Sequence, residues 1–315
     1  MNIVYRRCFL VIGMETFVAS ACGGAQHSSV QVRQNVLALA EPREALRAQE
    51  ELIQLPDDDV IPAVVAVLKT DARFQEGTPR ELAYHVLSNH ECARYAECRA
   101  ALIVGLMDRS SSIQRNSAYA LVLTPIDAQE EAMVTILKVL RNKETPLDVK
   151  KAILRPLVKF GTQAESAFDP VAELFQTASA TESVRADAAH AMLMIGGFER
   201  AFKELHSDSL LKDRAVLWAL RTFAAETKGS LSTTPERRIE TRRIVTEALE
   251  ADRSEMRRAA LETLIAVYGD AISIEVGGVL VLNPELQRAL TKVMESDPDP
   301  SLRNDAGEFL REWRR

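Results

Sequence analysis

Val184-Arg185-Ala186-Asp187-Ala188-Ala189-His190-Ala191-Met192-Leu193-Met194-Ile195-Gly196-Gly197 is the stretch that decides the fold, because its pattern recurs. Val184 has counterparts at Ile113, Val149 and Met256, so the series advances by 36, 35 and 72 residues, the last step being twice 36. A fixed period in this range marks a helical array in which each unit covers its neighbour's apolar face. Such an array argues against a conventional active site and does not name a partner.

Aligned on the lead residue, the copies agree at particular places. Val149 is followed by Ile153 and Leu154 at the fourth and fifth places, Leu157 at the eighth and Gly161 at the twelfth. Val184 gives Ala188, Ala189, Met192 and Gly196 at the same places, and Met256 gives Ala260, Leu261 and Leu264, with Gly269 one residue late. Ile113 gives Ser117, Ala118 and Leu121 before Pro125, and Leu302 gives Ala306 and Leu310. Places 0, 4, 5 and 8 lie on one face of a 3.6-residue helix, so each block reads as an amphipathic helix. The small residues at places four and five admit a close neighbour, and the glycine suits a helix end that needs a left-handed residue.

Asp, Ser and Thr gather just before each lead: Asp108 with Ser110 to Ser112, Thr145 with Asp148, Thr181 with Ser183, Asp252 with Ser254, and Asp297 with Asp299 and Ser301. These side chains accept hydrogen bonds from the unpaired amides of a helix start. Another amphipathic run precedes each block, at 130–141, 166–176, 237–249 and 285–294. Helix, turn, helix, repeated, predicts an all-α αα-superhelix of about six or seven hairpins.

These blocks resemble HEAT repeats, whose second helix opens with Asp, Val and Arg and runs through paired alanines to a glycine. The match is closest over Val184–Gly197, fair over Asp148–Gly161 and Arg253–Gly269, and weaker elsewhere. It covers about residues 95 to 315, and 35 to 94 by extension. The resemblance implies that the basic residue after the lead joins a structural ladder, which assigns Lys150, Arg185, Arg257 and Arg303 to that role. Gln114 departs from the pattern.

Two irregularities interrupt the period. A short helix over 197–205, a turn at His206-Ser207-Asp208 and a long helix over 210–226 containing Trp218 form an offset unit, the missing length returning in the loop 228–234. The β-branched, glycine-containing segment 271–283 is an insertion that reads as a small hairpin or a packed loop. Insertions in arrays gather on one face and carry binding, although a groove-filling loop explains these equally well.

Residues 1–21 stand apart. Arg6 and Arg7 precede an apolar run, and the segment closes Val18-Ala19-Ser20-Ala21-Cys22, the pattern of an export signal. Arg6-Arg7-Cys8-Phe9-Leu10 resembles a twin-arginine motif with Tyr5 in place of Ser or Thr. Ala19-Ser20-Ala21-Cys22 also resembles a bacterial lipoprotein cleavage site, although Ala19 replaces the usual Leu and Glu15 interrupts the apolar run. That resemblance implies acylation of Cys22, a membrane anchor, and a tether over 22–34 ahead of a helical domain over 35–315; ordinary cleavage after Ala21 stays open. Of the four cysteines only Cys92 and Cys98 then remain, and in a non-reducing compartment this pair is expected as a disulfide, its spacing of six suiting a turn between helices.

Composition narrows the function classes. Aromatic residues make up 5% of the chain against 47% hydrophobic, which suits helix-on-helix packing by small residues. The net charge of −6, about −7 once Arg6, Arg7 and Glu15 leave, is poorly suited to neutralising phosphates, so no nucleic-acid partner is expected. His85, His90, Cys92 and Cys98 offer four metal ligands within fourteen residues, but without a Cys-x-x-Cys pair, and a disulfide consumes both thiols. His190 reads as a helix-surface or packed histidine, and Ser207 or Asp208 beside His206 as a cap rather than part of a triad. Asp57-Asp58-Asp59 reads as a helix N-terminus, since no calcium-loop spacing follows. The glycine pairs 23–24, 196–197 and 277–278 lack phosphate-loop spacing.

The expectation is therefore an exported, lipid-anchored HEAT-like scaffold without catalytic, cofactor or metal residues, docking a protein partner on its inner helices. The alternatives are a cytoplasmic HEAT-like adaptor that keeps residues 1–21 as a helix, and an enzyme similar to the HEAT-like lyases that attach bilin pigments.

Overall fold

The computed structural model describes residues 29–177, 179–205, 214–226, 235–266, 273–276 and 279–313. Hairpins of antiparallel helices follow one another: α1 (Ser29–Ala38) with α2 (Ala45–Ile53), α3 (Asp57–Thr70) with α4 (Gly77–Ser88), and α5 (Ala96–Gly105) with α6 (Ser111–Ala120). Then come α7 (Gln129–Arg141) with α8 (Leu147–Phe160), and α9 (Phe168–Gln176) with α10 (Glu182–Leu205). A lone helix α11 (Arg214–Glu226) is followed by α12 (Pro235–Leu249) with α13 (Ser254–Ala266), and α14 (Pro284–Ser296) with α15 (Pro300–Trp313). Second helices stack on second helices, α4 on α6, α6 on α8, α8 on α10, α10 on α11, α11 on α13 and α13 on α15. The protein is an all-α, HEAT-like solenoid.

Packing follows the repeat alignment. Ile113, Ser117, Ala118 and Leu121 are buried, as are Val149, Ile153, Leu154 and Leu157, and Val184, Ala188, Ala189 and Met192. Met256, Ala260, Leu261 and Leu264 repeat the pattern, and Leu302, Ala306 and Leu310 close it. Each such residue removes apolar surface from water only because an adjacent hairpin covers it, so the core is one continuous seam along the stack.

The glycines at the twelfth place do two different jobs. Gly161 follows α8 with φ +58°, a left-handed conformation that strains other residues. Gly196 does not end its helix: α10 runs on through Gly196-Gly197 to Leu205, so the expected separate helix over 197–205 is the end of α10. What Gly196 supplies is space, since a Cβ there would lie 2.4 Å from the Phe168 ring.

Other boundaries shift as well. Helix α1 opens at Ser29, so residues 29–34, expected as tether, belong to the helical body. The insertion holds an antiparallel hairpin, β1 (Ser273–Val276) against β2 (Val279–Leu282), with Ser273 opposite Leu282. Residues 1–28, which include Cys22, lie outside the described residues, as do His206 to Asp208 and the loop 228–234. Among the described residues, no helix is long and apolar enough to cross a membrane.

Candidate functional site: a gap in the inner charge ladder

All four residues assigned to the ladder lie among the described residues, and they behave differently. Arg257 clamps the last two units: its Nε and Nη2 donate to the Asp297 carboxylate, the latter over 3.1 Å, and its Nη1 donates to the carbonyls of Ala251 and Asp252, each over 2.7 Å. Burial and, less, the Asp299 charge oppose ionisation of Asp297, but the hydrogen bonds from Arg257 and the Asp299 amide, with the charge of Arg257, hold its carboxyl below the usual range. The same hydrogen bond raises Arg257 further. Arg303 Nη1 donates to the carbonyls of Asp297 and Pro298, which ties the turn between α14 and α15. Arg185 is held in α10 through its backbone amide, which donates to the Thr181 carbonyl. Lys150 has no ion pair among the described residues.

A second ladder runs one residue later, at the second place after the lead. Arg115 on α6 pairs with Asp148 on α8. Lys151 on α8 reaches Ser183 Oγ at 2.6 Å and Asp187 at 3.6 Å on α10. Arg258 on α13 reaches Asp299 at 2.7 Å, Ser301 at 2.7 Å and Asp305 at 4.0 Å. Exposed pairs of this kind stabilise little, on the order of 0–1 kcal/mol each, so their regularity matters more than their strength. Several of the Asp, Ser and Thr residues expected as helix caps work here instead; Thr181 does cap, its hydroxyl accepting from the Val184 amide at 3.3 Å.

The ladder breaks on α10, where the second place is Ala186. With no long cation reaching forward, α11 reaches both ways. Arg214 pairs back to Glu182 at 3.3 Å, and Arg221 pairs onward to Glu262 on α13 at 2.7 Å. Trp218 lies between them, one turn from each, and is 43% exposed. Its ring meets His190 edge-on with centroids 6.2 Å apart, and His190 itself is buried. The result is a groove of about 460 Å³ on α10, α11 and α13, whose lining includes Ala186, Asp187 and Thr263. Thr263 Oγ1 donates to the Leu217 carbonyl at 3.2 Å, which fixes α13 against α11. A similar groove of about 450 Å³ along α14 is lined by that helix alone and has no aromatic ring.

The cysteine and histidine cluster resolves into separate contacts. Cys92 and Cys98 are joined as a disulfide between the 3-10 turn Cys92–Arg94 and the start of α5. His90 has Nδ1 2.6 Å from Asp57 Oδ1 and Nε2 3.2 Å from the Leu52 carbonyl. His85 lies on α4, where its carbonyl accepts from Ser88 and Asn89. No group of three or more metal-ligating side chains occurs among the described residues. Asp57, Asp58 and Asp59 form the first turn of α3.

Sequence reasoning placed Trp218 on a helix and missed its setting. The signal was present in Arg115, Lys151 and Arg258, basic at a shared place that Ala186 breaks inside the array, as Asn304 does in its last helix. Arg214 and Arg221 carried no such mark, because α11 belongs to no aligned copy.

The fold and groove define a HEAT-like solenoid with a local ligand-sized recess in its second-helix layer. No known family profile matches the chain, and no curated protein matches it. Among solved structures it is similar to the complex of CpcE and CpcF of phycocyanin lyase from Nostoc sp. PCC7120, at 14% identity over 78% of this chain and 97% of that one, TM-score 0.46. It is also similar to human deoxyhypusine hydroxylase in complex with glycerol, at 16% identity over 91% of this chain and 96% of that one, TM-score 0.32. The leading expectation of a non-catalytic protein-docking scaffold stands corrected to this extent: the first of these structures is named a phycocyanin lyase, the class of the bilin-lyase-like alternative, and neither is named a docking scaffold. At these values the likeness bears on the fold alone. The physical reason for the correction is local: the second-helix face is not a uniform docking surface but concentrates an exposed indole and five charged side chains in one recess.

Proposed function

We propose that the chain handles a linear tetrapyrrole in a bilin-lyase-like role, laying part of the pigment on Trp218 in the groove of α10, α11 and α13. One observation carries this reading. Trp218 is exposed in a ligand-sized recess, between two arginines, where the ladder lacks its cation. Recesses of about 300–1,000 Å³ suit small molecules, and a flat conjugated ring gains from offset stacking on an indole. Asp187 and Glu182 offer acceptors for pyrrole N–H groups, while the two arginines are already paired, Arg214 with Glu182 and Arg221 with Glu262.

The test uses biliverdin and a Trp313→Phe background, which leaves Trp218 as the sole tryptophan. Saturable quenching of Trp218 is expected, with affinity lowered about tenfold when Trp218→Ala is followed by pigment absorbance. No quenching, or pigment binding indifferent to that substitution, would remove the reading.

Export with acylation of Cys22 is proposed on the sequence pattern, and the Cys92–Cys98 disulfide supports a non-reducing compartment. Palmitate-analogue labelling is expected in the wild type and lost in Cys22→Ala; equal labelling of both would end the proposal.

A further inference from the structure

The sixth place after the first four leads forms a stripe beside the ladder: Tyr119 on α6, Arg155 on α8, His190 on α10 and Glu262 on α13. Trp218 of α11 joins it between His190 and the Arg221–Glu262 pair. Places two and six are one helical turn apart, so the stripe and the ladder share the face formed by the second helices. Tyr119 is 38% exposed, and the Arg155 guanidinium lies over its ring, 4.8 Å from the centroid.

Arg155 differs from the cations around it. Arg115, Lys151, Arg214, Arg221 and Arg258 are each neutralised by a carboxylate. Arg155 is exposed, and among the described residues it has no carboxylate or carbonyl partner, only the tyrosine ring. A guanidinium stacked by its flat face keeps its fork of N–H donors available, and that fork matches a carboxylate in two-point geometry. The ring also restrains the long side chain in advance, which reduces the entropy lost on binding.

We infer that Arg155, seated on Tyr119, anchors a carboxylate of the ligand whose flat part rests on Trp218. The inference depends on the groove reading above and extends the site across α8. Two helix spacings of about 8–10 Å separate α8 from α11 through α10, and Arg155 leans the other way, onto Tyr119 of α6, so the ligand is elongated. A conjugated chain with a carboxylate set away from one end meets both contacts.

Biliverdin and its dimethyl ester are titrated against the wild type, Arg155→Gln and Arg155→Lys, all carrying Trp313→Phe. Arg155→Gln is expected to weaken biliverdin about tenfold, the cost of one charge-assisted contact, while leaving the ester unchanged. Arg155→Lys keeps the charge without the fork and is expected to fall between the two. Equal biliverdin affinity for the wild type and Arg155→Gln overturns the anchor even where Trp218 is quenched. If biliverdin fails to bind the wild type, the groove reading fails, and the anchor is judged by pyrenebutyrate, a short flat carboxylate. A shift of the Arg155 Nε nitrogen resonance on adding it upholds the anchor, and an unmoved resonance overturns it.

Discussion

Asp297→Ala tests the view that the stack is held by couplings between neighbours. The Asp297 side chain is 1% exposed and that of Arg257 11%, so the pair sits largely out of water. Removing the carboxylate strands a guanidinium whose Nε and Nη2 donors lose their acceptors, while Nη1 keeps the carbonyls of Ala251 and Asp252. Breaking a buried pair from one side costs about 3–5 kcal/mol, more than an exposed ladder pair by a wide margin. The two remaining carbonyl contacts bring the expectation toward the lower end, about 3 kcal/mol. The double variant Arg257→Met with Asp297→Leu removes both charges and is expected to recover most of that loss. A linear array need not unfold in one step, so a single midpoint is a poor measure. Hydrogen exchange resolved by peptide is the proper assay, with faster exchange expected in α13, α14 and α15 and unchanged protection in α4 to α8. Uniform acceleration along the chain, or a local change worth less than about 1 kcal/mol, would refute the reasoning.

Acid should act on the same clamp. Asp297 is depressed in the folded state, so its contribution is fully present above its unfolded value near 3.9 and is lost as pH falls through the lower folded value. Exchange in α13 to α15 is expected to rise below about pH 4, and Asp297→Asn to lose that dependence; an unaltered profile in the variant would count against it. Gly196→Ala drives a methyl into the Phe168 ring, and overpacking of this kind costs about 1–3 kcal/mol, read as loosened α9–α10 protection. A neutral result would mean that Phe168 moves freely aside. Reducing the Cys92–Cys98 bond releases a short loop, worth about 2 kcal/mol on the chain-entropy account, and is expected to speed exchange near 92–98 while sparing α13 to α15. Equal exchange with and without reductant would contradict it.

The seam of the stack was legible in the sequence because burial there is a matter of period. Every residue aligned at places 0, 4, 5 and 8 is buried, including Ser117, which is polar but lies where Gly105 and Tyr84 pack closest. Helix ends were less legible. Gly161 and Gly196 occupy the same place, yet one bends the chain at positive φ and the other accommodates a phenylalanine ring. A glycine's sequence position does not say whether its missing Cβ frees the backbone or makes room for a neighbour. A second ladder one residue later, beside the Arg257–Asp297 clamp, was missed for a related reason. Lys150 and Lys151 are adjacent and equally basic, and only the direction each takes from α8 separates Lys151, which reaches α10, from its neighbour.

The groove follows from a break in the repeat rather than from any motif. An array in which each unit repeats its predecessor presents the same contacts at every step, and its cations meet the next unit's acids throughout. Helix α11 enters the second-helix layer without belonging to an aligned copy, so α10 has no regular neighbour ahead of it. A forward-reaching cation at place two of α10 would have no fixed acid to meet, and Ala186 stands there. The small side chain fills little of the recess, the paired arginines of α11 bridge to the regular units on either side, and the indole between them stays exposed. Substituting Ala186→Arg therefore has a definite expected outcome. The new cation meets Asp187 and Glu182 within the recess, lowers the exposure of Trp218, and abolishes quenching by biliverdin, while the buried seam at Val184, Ala188, Ala189 and Met192 keeps the fold. Undiminished quenching in that variant would mean that the recess, and not merely its ligand, has been misread.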